Sequence, residues 1–250
     1  MIDMHTHVLP DLDDGAKDEQ EAIKLLRLDY EQGVRELVFT PHYYGKKRTL
    51  ERFLSERSEA ANKIREHVPS GMKTRLGAEI YLKGINDPDN ETLCALAIEG
   101  TKCVLVEFPF EERWSKNLLV KLYSFMAATG YRLIVAHIER YREIVQDPTL
   151  VNALVKMGCY IQLNTGAFLE KRTQKLAFLL LKHGLVHCFG TDTHNETDRS
   201  PDYKQAKELV EWKGLSNEWS RVQTRMRQIL KKQNVENTCT PIKKFFWWYK

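Results

Sequence analysis

Thirteen residues near the N-terminus, DMHTHVLPDLDDG (residues 3–15), concentrate imidazole and carboxylate. His5 and His7 are alternate residues of an extended segment, so their rings point to the same side. The same residue types recur at intervals along the chain. They are His42 in TPH, Glu79 in GAEIY, Glu107 in VEFPF, His137 in AHIERY, Asn164 in QLNTG, and Asp192 with His194 in GTDTHN. Imidazole and carboxylate without thiolate suit Mn²⁺, Zn²⁺ or Fe rather than a structural zinc site. So many ligands exceed what one ion can use, and a carboxylate can bridge two cations. Two or three divalent ions are therefore expected. Closely spaced ions lower the pKa of a shared water to about 7 and clamp a transferring phosphoryl group.

The elements that must position these residues alternate. MIDMHTHV, ELVFT, KTRLGAEIY, KCVLVEF, RLIVAH, CYIQLN and LVHCFGTD read as strands. Between them, residues 18–32, 49–67, 115–129, 148–157 and 171–183 read as helices, with Gly33, Gly130, Gly158 and Gly184 as stops. From Pro201 the chain reads as helical to about Lys232. Strand and helix in alternation predict a parallel sheet. At 250 residues, closure into a barrel of about seven strands is the expectation. Each ligand-type residue then falls at the C-terminal end of a strand, the face on which such barrels build their sites. The domain is expected to span 1–232, with 233–250 as a basic, aromatic tail. His67, His183 and His187 fall outside the pattern and read as structural. Asp3 reads either as a support for the ligands or as a salt-bridge partner. Asp11 and Asp13 read as solvated loop residues.

Composition narrows the classes. Lys and Arg number 38 against 34 Asp and Glu, a net charge of +4 spread along the chain. That is no nucleic-acid footprint. No stretch approaches the ~20 apolar residues of a membrane span. MIDMHTH has neither a basic region nor an apolar run, so a signal peptide is not expected. Five cysteines without a CxxC pair, mostly inside apolar runs, read as buried, reduced thiols of a cytoplasmic protein.

DMHTHVLPDLDDG, TPHYYG, GAEIY, VEFPF, AHIERY, QLNTGAF and GTDTHN, in that order, resemble the polymerase-and-histidinol-phosphatase (PHP) superfamily. Within it they are most similar to the bacterial metal-dependent tyrosine phosphatases of capsule and exopolysaccharide clusters. The resemblance covers roughly residues 1–212. It implies a distorted seven-stranded α/β barrel of TIM type with a trinuclear, usually manganese-supported site. Carried over, it implies one ion at His5, His7, Glu79 and Asp192. A second falls at Glu79, Glu107 and His137, and a third at Asp14, His42 and His194. Glu79 is the bridge, and Asp14 rather than Asp13 rests on the family pattern alone. Arg140, three residues past His137, and Arg199, five past His194, are expected to hold phosphate as bidentate donors. Many relatives have proline where this chain has Ile138.

The expected function is a metal-dependent phosphomonoesterase acting on phosphotyrosine in protein, with a metal-bridging hydroxide attacking phosphorus in line. The expected partner is a bacterial tyrosine kinase that regulates capsule or exopolysaccharide synthesis. No cysteine is followed six residues later by arginine, so a cysteine-phosphatase loop is absent. The rival readings are a small-molecule phosphatase of the histidinol-phosphate kind, a phosphodiesterase, and a metal-stabilised kinase-binding protein with little turnover. Homo-oligomerisation stays open. The tail TPIKKFFWWYK admits three placements: folded over the protein's own helices, docked on another subunit or partner, or resting on a membrane surface.

Overall fold

The computed structural model describes residues 1–45, 47–82, 90–235, 238–245 and 248–249, with 245, 248 and 249 described in their backbone. Seven parallel strand positions carry the site, two of them broken in the middle. β1 is Ile2–Thr6, β2 Glu36–Phe39, β3 His42–Tyr43, β4 Lys73–Leu76 and β5 Glu79–Tyr81. β6 is Cys103–Glu107, β7 Arg132–Val135, β8 Tyr160–Asn164 and β9 Cys188–Gly190. The order β1-β2-β4 forms one parallel sheet and β3-β5-β6-β7-β8-β9 another. The seam between the two sheets is bridged at both ends. Across the breaks, Gly77 N donates to Phe39 O at 2.8 Å and Glu79 N to Pro41 O at 3.0 Å. On the other side, His7 N donates to Thr193 O at 2.9 Å and Asp192 N to His5 O at 2.8 Å. The sheet therefore curls round until β9 meets β1, as the alternating pattern predicts.

Two sequence expectations change. KTRLGAEIY is two strands rather than one. Lys73–Leu76 pairs with β2, and Glu79–Tyr81 pairs with β3 and β6. The break at Gly77 and Ala78 turns the second half, and with it Glu79, into the barrel mouth. The helical stretch after Pro201 is also divided, into α8 (Tyr203–Trp212) and α9 (Ser216–Leu230). Gly214 takes φ 74° between them, a left-handed conformation that glycine adopts without strain.

The outer helices follow their sequence signals. α1 (Glu19–Glu31) starts at Asp18, whose side chain accepts from Glu21 N. α2 (Leu50–Ile64) is capped by Thr49. α3 spans Asn90–Leu96, and α4 (Lys116–Thr129) runs from a Ser115 cap to Gly130 at φ 70°. α5 (Arg142–Gln146), α6 (Leu150–Lys156) and α7 (Gln174–Lys182) complete the ring. α3 and α5 have no counterpart in the sequence reading, being short and weakly patterned. Leu25, Leu26, Phe53, Leu122, Leu154 and Leu180 are buried against the strands.

The chain after α9 folds back. Thr240 N donates to His183 O at 2.9 Å, and Arg225 reaches Thr238 O at 3.2 Å. Ile242 is buried and exchanges two hydrogen bonds with the Asn152 side chain at 2.9 and 3.0 Å. Lys244 Nζ lies 3.5 Å from Asp147. Residues 238–244 thus rest on this protein's own helices. Beyond them the backbones of Lys244–Phe245 and Trp248–Tyr249 pair antiparallel. The aromatic side chains from Phe245 to Tyr249, on which the tail expectation turned, lie outside the described residues. Cys103, Cys159 and Cys188 are buried free thiols, as expected. Cys94 is exposed and Cys239 half-buried.

Candidate metal centre

The strand ends bring His5, His7, His42, Glu79, Glu107, His137, Asp192 and His194 to one pocket, and all but half-buried His42 are essentially out of solvent. The backbone is bent to achieve this. His137 (φ 31°) and Asp192 (φ 55°) both take left-handed conformations unusual for these residues, of the kind that persists where surrounding structure holds it.

Each histidine of the first strand has one nitrogen fixed from behind. His7 Nδ1 lies 2.7 Å from Asp13 Oδ2, and His5 Nδ1 lies 3.2 Å from Gln162 Oε1. His194 Nδ1 lies 2.8 Å from the Asp192 carbonyl. All three partners are acceptors, so in each ring the proton is assigned to Nδ1 and the Nε2 lone pair faces the centre. His5 Nε2 and His7 Nε2 then stand 3.1 Å apart. Two facing lone pairs repel, and a shared cation relieves that repulsion.

Glu79 sits where these rings converge. Its Oε2 lies 3.3 Å from both His5 and His7 and 3.1 Å from His42 Nδ1. None of these approaches has hydrogen-bond geometry, and Glu79 Oε2, His42 Nδ1 and His194 Nε2 are all buried without a hydrogen-bond partner among the described residues. Its other oxygen accepts from His137 Nε2 at 2.9 Å. Such a set of orphaned polar atoms is costly in a dry interior unless something electropositive sits among them. Three groups are close enough to hold an ion: His5, His7 and Asp192; His7, Asp14, His42 and His194; and His42, Glu79 and Glu107. The first has three of its four expected members, with Glu79 falling in the third group instead, and the second has its three expected members together with His7. In the third, His42 stands where His137 was expected. His137 is nevertheless near both carboxylates, 2.9 Å from Glu79 and 3.5 Å from Glu107.

Protonation follows from the crowding. Burial alone would raise the Glu79 carboxyl, but His5 and the His137 hydrogen bond hold it well below the carboxylate range. Asp192 is likewise held low against its burial by His5, His7 and Arg199. Glu107 is pushed up to about 8 by burial and by the neighbouring Glu79 charge. Burial and the His7 charge lower His42 to about 4. A cluster in which one carboxylate charges at the expense of its neighbour is short of positive charge, which divalent ions supply.

Asp13 corrects the sequence reading. It is no solvated loop residue: its side chain is 5 % exposed, and besides His7 it accepts from His42 N at 2.8 Å and Gly15 N at 3.0 Å. The loop turns back tightly enough that a Cβ on Gly15 would fall 1.9 Å from the His7 carbonyl oxygen. Asp14 is 64 % exposed and reaches over the mouth, 3.5 Å from His42 Nε2 and 3.4 Å from His194 Nε2. Asp3 resolves as a support, with Oδ1 accepting from His5 N and Thr191 N, both at 3.1 Å. Gln162 and Glu139 were missed. Gln162 accepts from His137 N at 2.5 Å as well as holding His5, and its Nε2 donates to Asn164 at 2.9 Å. Its position two before Asn164, on the same face of β8, was the available signal. Glu139 accepts from Asn164 N at 3.4 Å, and no pattern marked it.

Arg140 and Arg199 both reach this centre. Arg140 donates to Asp192 Oδ2 at 3.2 Å, and Arg199 donates to the same oxygen at 2.5 Å. Asn164 Nδ2 joins them at 3.1 Å. The two guanidinium groups line a cavity of about 330 Å³ that opens beside Asp192. His183 bonds the Thr240 carbonyl, and His187 accepts from Ile161 N at 3.3 Å, away from the centre.

Comparison with known proteins places the chain in a family. The family model described as capsular polysaccharide synthesis, CpsB/CapC, matches residues 1–231. The chain is 32 % identical over 219 residues to the tyrosine-protein phosphatase YwqE of Bacillus subtilis (strain 168), covering 84 % of each. It is 31 % identical over 221 residues to the tyrosine-protein phosphatase CpsB of Streptococcus pneumoniae, covering 84 % of this chain and 89 % of that one. A crystal structure from work on those two proteins, described as metal-dependent tyrosine phosphatases, superposes with a TM-score of 0.82 at 26 % identity, over 98 % of this chain and 100 % of that one.

Proposed function

The chain belongs to the CpsB/CapC family of capsular polysaccharide synthesis, and from that premise we propose that it is a metal-dependent protein-tyrosine phosphatase. The observation that carries the reading is the meeting of Arg140 and Arg199 on one Asp192 oxygen at the edge of the His and carboxylate cluster. Two fixed cations beside a multi-metal pocket fit the oxygens of a phosphoryl group, and their planar forks match it bidentately. His5, His7, Asp14, His42, Glu79, Glu107, His137, Asp192 and His194 would hold two or three divalent ions, Mn²⁺ the favoured one, and Glu79 would serve more than one of them. Bound there, the ions supply charge neutralisation for the phosphoryl oxygens and an activated water. The protein's own residues do the rest. Asp13, Gln162 and the Asp192 carbonyl fix the ligand tautomers. Arg140 and Arg199 orient the ester, and the walls of the pocket limit water.

The substrate is phosphotyrosine in a protein, the partner a bacterial tyrosine kinase of capsule or exopolysaccharide synthesis, and the location of this protein the cytoplasm. Residues 1–232 carry the whole activity, and 233–250 are an appendage to it. The test is phosphate release from a phosphotyrosine peptide, histidinol phosphate and a phosphodiester, side by side, with Mn²⁺, Zn²⁺ and Fe²⁺ supplied in turn and the bound metal counted. Turnover of the peptide above the other two is expected. Preference for histidinol phosphate or the diester would reassign the substrate, and metal binding without turnover would leave a kinase-binding protein.

A further inference from the structure

Three aromatic rings stand at the ends of three consecutive strand positions, on the Glu107 side of the centre. Tyr44 follows β3, Tyr81 ends β5 and Phe110 follows β6. Tyr44 lies 5.1 Å from the His42 ring and 5.5 Å from Tyr81. Phe110 lies 5.6 Å from the His137 ring, and the Arg140 guanidinium carbon sits 4.5 Å from its centroid. Between these two positions is Glu107, with carboxylate oxygens 3.9 Å from His42 and 3.5 Å from His137. Phe110 is 38 % exposed, and Tyr44 and Tyr81 are half-buried. Phe110 touches the buried Tyr141 ring, centroid to centroid 5.9 Å, which anchors it, and the rest of the phenyl ring stays open at the lip of a polar pocket. Tyr44 lines the cavity that holds Asp14 and His42, and Phe110 lines a separate one that holds Arg140.

We propose that Phe110 on one side and Tyr44 with Tyr81 on the other form an aryl-binding rim that selects phosphate esters of phenols over those of alkyl alcohols. The inference rests on the phosphatase reading and deepens it. A phosphoryl group held by Arg140 lies beneath Phe110, because the guanidinium is already stacked on that ring. The ring of an aryl ester, one oxygen away from phosphorus, then reaches the level of the rim, where edge or offset contact with Phe110 and Tyr44 is favourable. An alkyl ester at the same place has no ring to offer. The rim also shields the ester from water on the side that the two arginines leave open.

The rival role for Phe110 is to hold Arg140 in place, which would affect every phosphate ester alike. Two measurements separate the roles, both on full-length, Mn²⁺-loaded protein. The first is the ratio of kcat/KM for a phosphotyrosine peptide to that for the matching phosphoserine peptide. The second is the ratio of the methylphosphonate Kd to the phenylphosphonate Kd, read by calorimetry, which needs no turnover. In Phe110→Leu and in Tyr44→Leu each ratio should fall by roughly 3- to 10-fold, the worth of one aromatic contact. Phe110→Trp should restore it. Leu keeps apolar bulk at an exposed site; fold is checked by circular dichroism and bound metal by ion counting. Unchanged ratios, with both esters or both phosphonates weakened equally, would overturn the rim and leave Phe110 as a support for Arg140. Selective phosphonate binding that the variants lose, in a protein without turnover, would uphold the rim and count against the phosphatase reading alone.

Discussion

Asp13 grips His7, its carboxylate oxygen 2.7 Å from Nδ1, while its neighbour Asp14 reaches the other way, to within 3.5 Å of His42 and 3.4 Å of His194. Two adjacent aspartates therefore do different work. Asp13→Asn should keep the fold and lower metal affinity by about 10- to 100-fold, the usual cost of losing a ligand's supporting partner. Raising the Mn²⁺ concentration should restore turnover. Asp14→Ala should instead lower the number of ions bound. Metal titration with ion counting distinguishes the two, and identical behaviour would show that they share one role.

Glu79 has the densest surroundings of the cluster, with His5, His7, His42 and His137 all within 3.3 Å of its oxygens. Glu79→Ala should remove more than one ion and abolish phosphate release while the circular dichroism spectrum is retained. Near-normal turnover in that variant would sink the shared-ligand arrangement.

Arg140 and Arg199 meet on Asp192 without belonging to any of the ion-holding groups. Alanine at either position should leave metal content unchanged and lower kcat/KM by roughly 10- to 1000-fold, as lost charge-assisted contacts predict. Lysine should rescue in part, since it lacks the planar fork. A fall in bound metal would assign them to holding Asp192 instead.

Asp29 of α1 is fully buried, and neither carboxylate oxygen has a hydrogen-bond partner among the described residues. Burial, then repulsion from Asp3 and Asp202, raises its carboxyl well above the ordinary range. The folded protein therefore keeps a proton that the unfolded chain loses above about pH 4. Stability from this group is greatest at low pH and declines as pH rises toward the folded value. Across that window the decline approaches about 1.4 kcal/mol per pH unit, or roughly 2–5 °C in Tm. Asp29→Asn should flatten the slope, so that its Tm gains on the parent protein as pH rises from 5 to 8. Parallel Tm curves would show that Asp29 is not the titrating group.

Deleting residues 241–250 removes buried Ile242 and its two bonds to Asn152. Burying one such side chain contributes about 1.5–3 kcal/mol, so Tm should fall by several degrees. Ile242 and Lys244 lie against α6 and Asp147, outside the ring of ligands. Turnover of a small phosphotyrosine substrate should therefore stay within about threefold. A large loss in a truncated protein that is folded and metal-loaded would place the tail at the active-site mouth.

What the sequence by itself determined was local and periodic. Strand and helix alternate in a fixed rhythm, and a polar residue closing each apolar run is visible at His42, Glu79, Glu107, His137 and Asp192 because a strand end is a one-dimensional position. Helix starts near Asp18 and Ser115 and the stop at Gly130 were legible for the same reason, and the structure shows both starting residues to be caps. The tertiary structure alone decided which nitrogen of each imidazole faces the centre, since that depends on acceptors brought from elsewhere: Gln162 from β8 for His5, and Asp13 from a folded-back loop for His7. It also decided that the third strand breaks at Gly77, because the break serves pairing with β3 and β6 that no local pattern encodes. Burial made the same distinction between neighbours. Asp13 and Asp14 are chemically identical and adjacent, and only the turn at Gly15, closed on the His7 carbonyl, puts one carboxylate behind the ligands and the other over them.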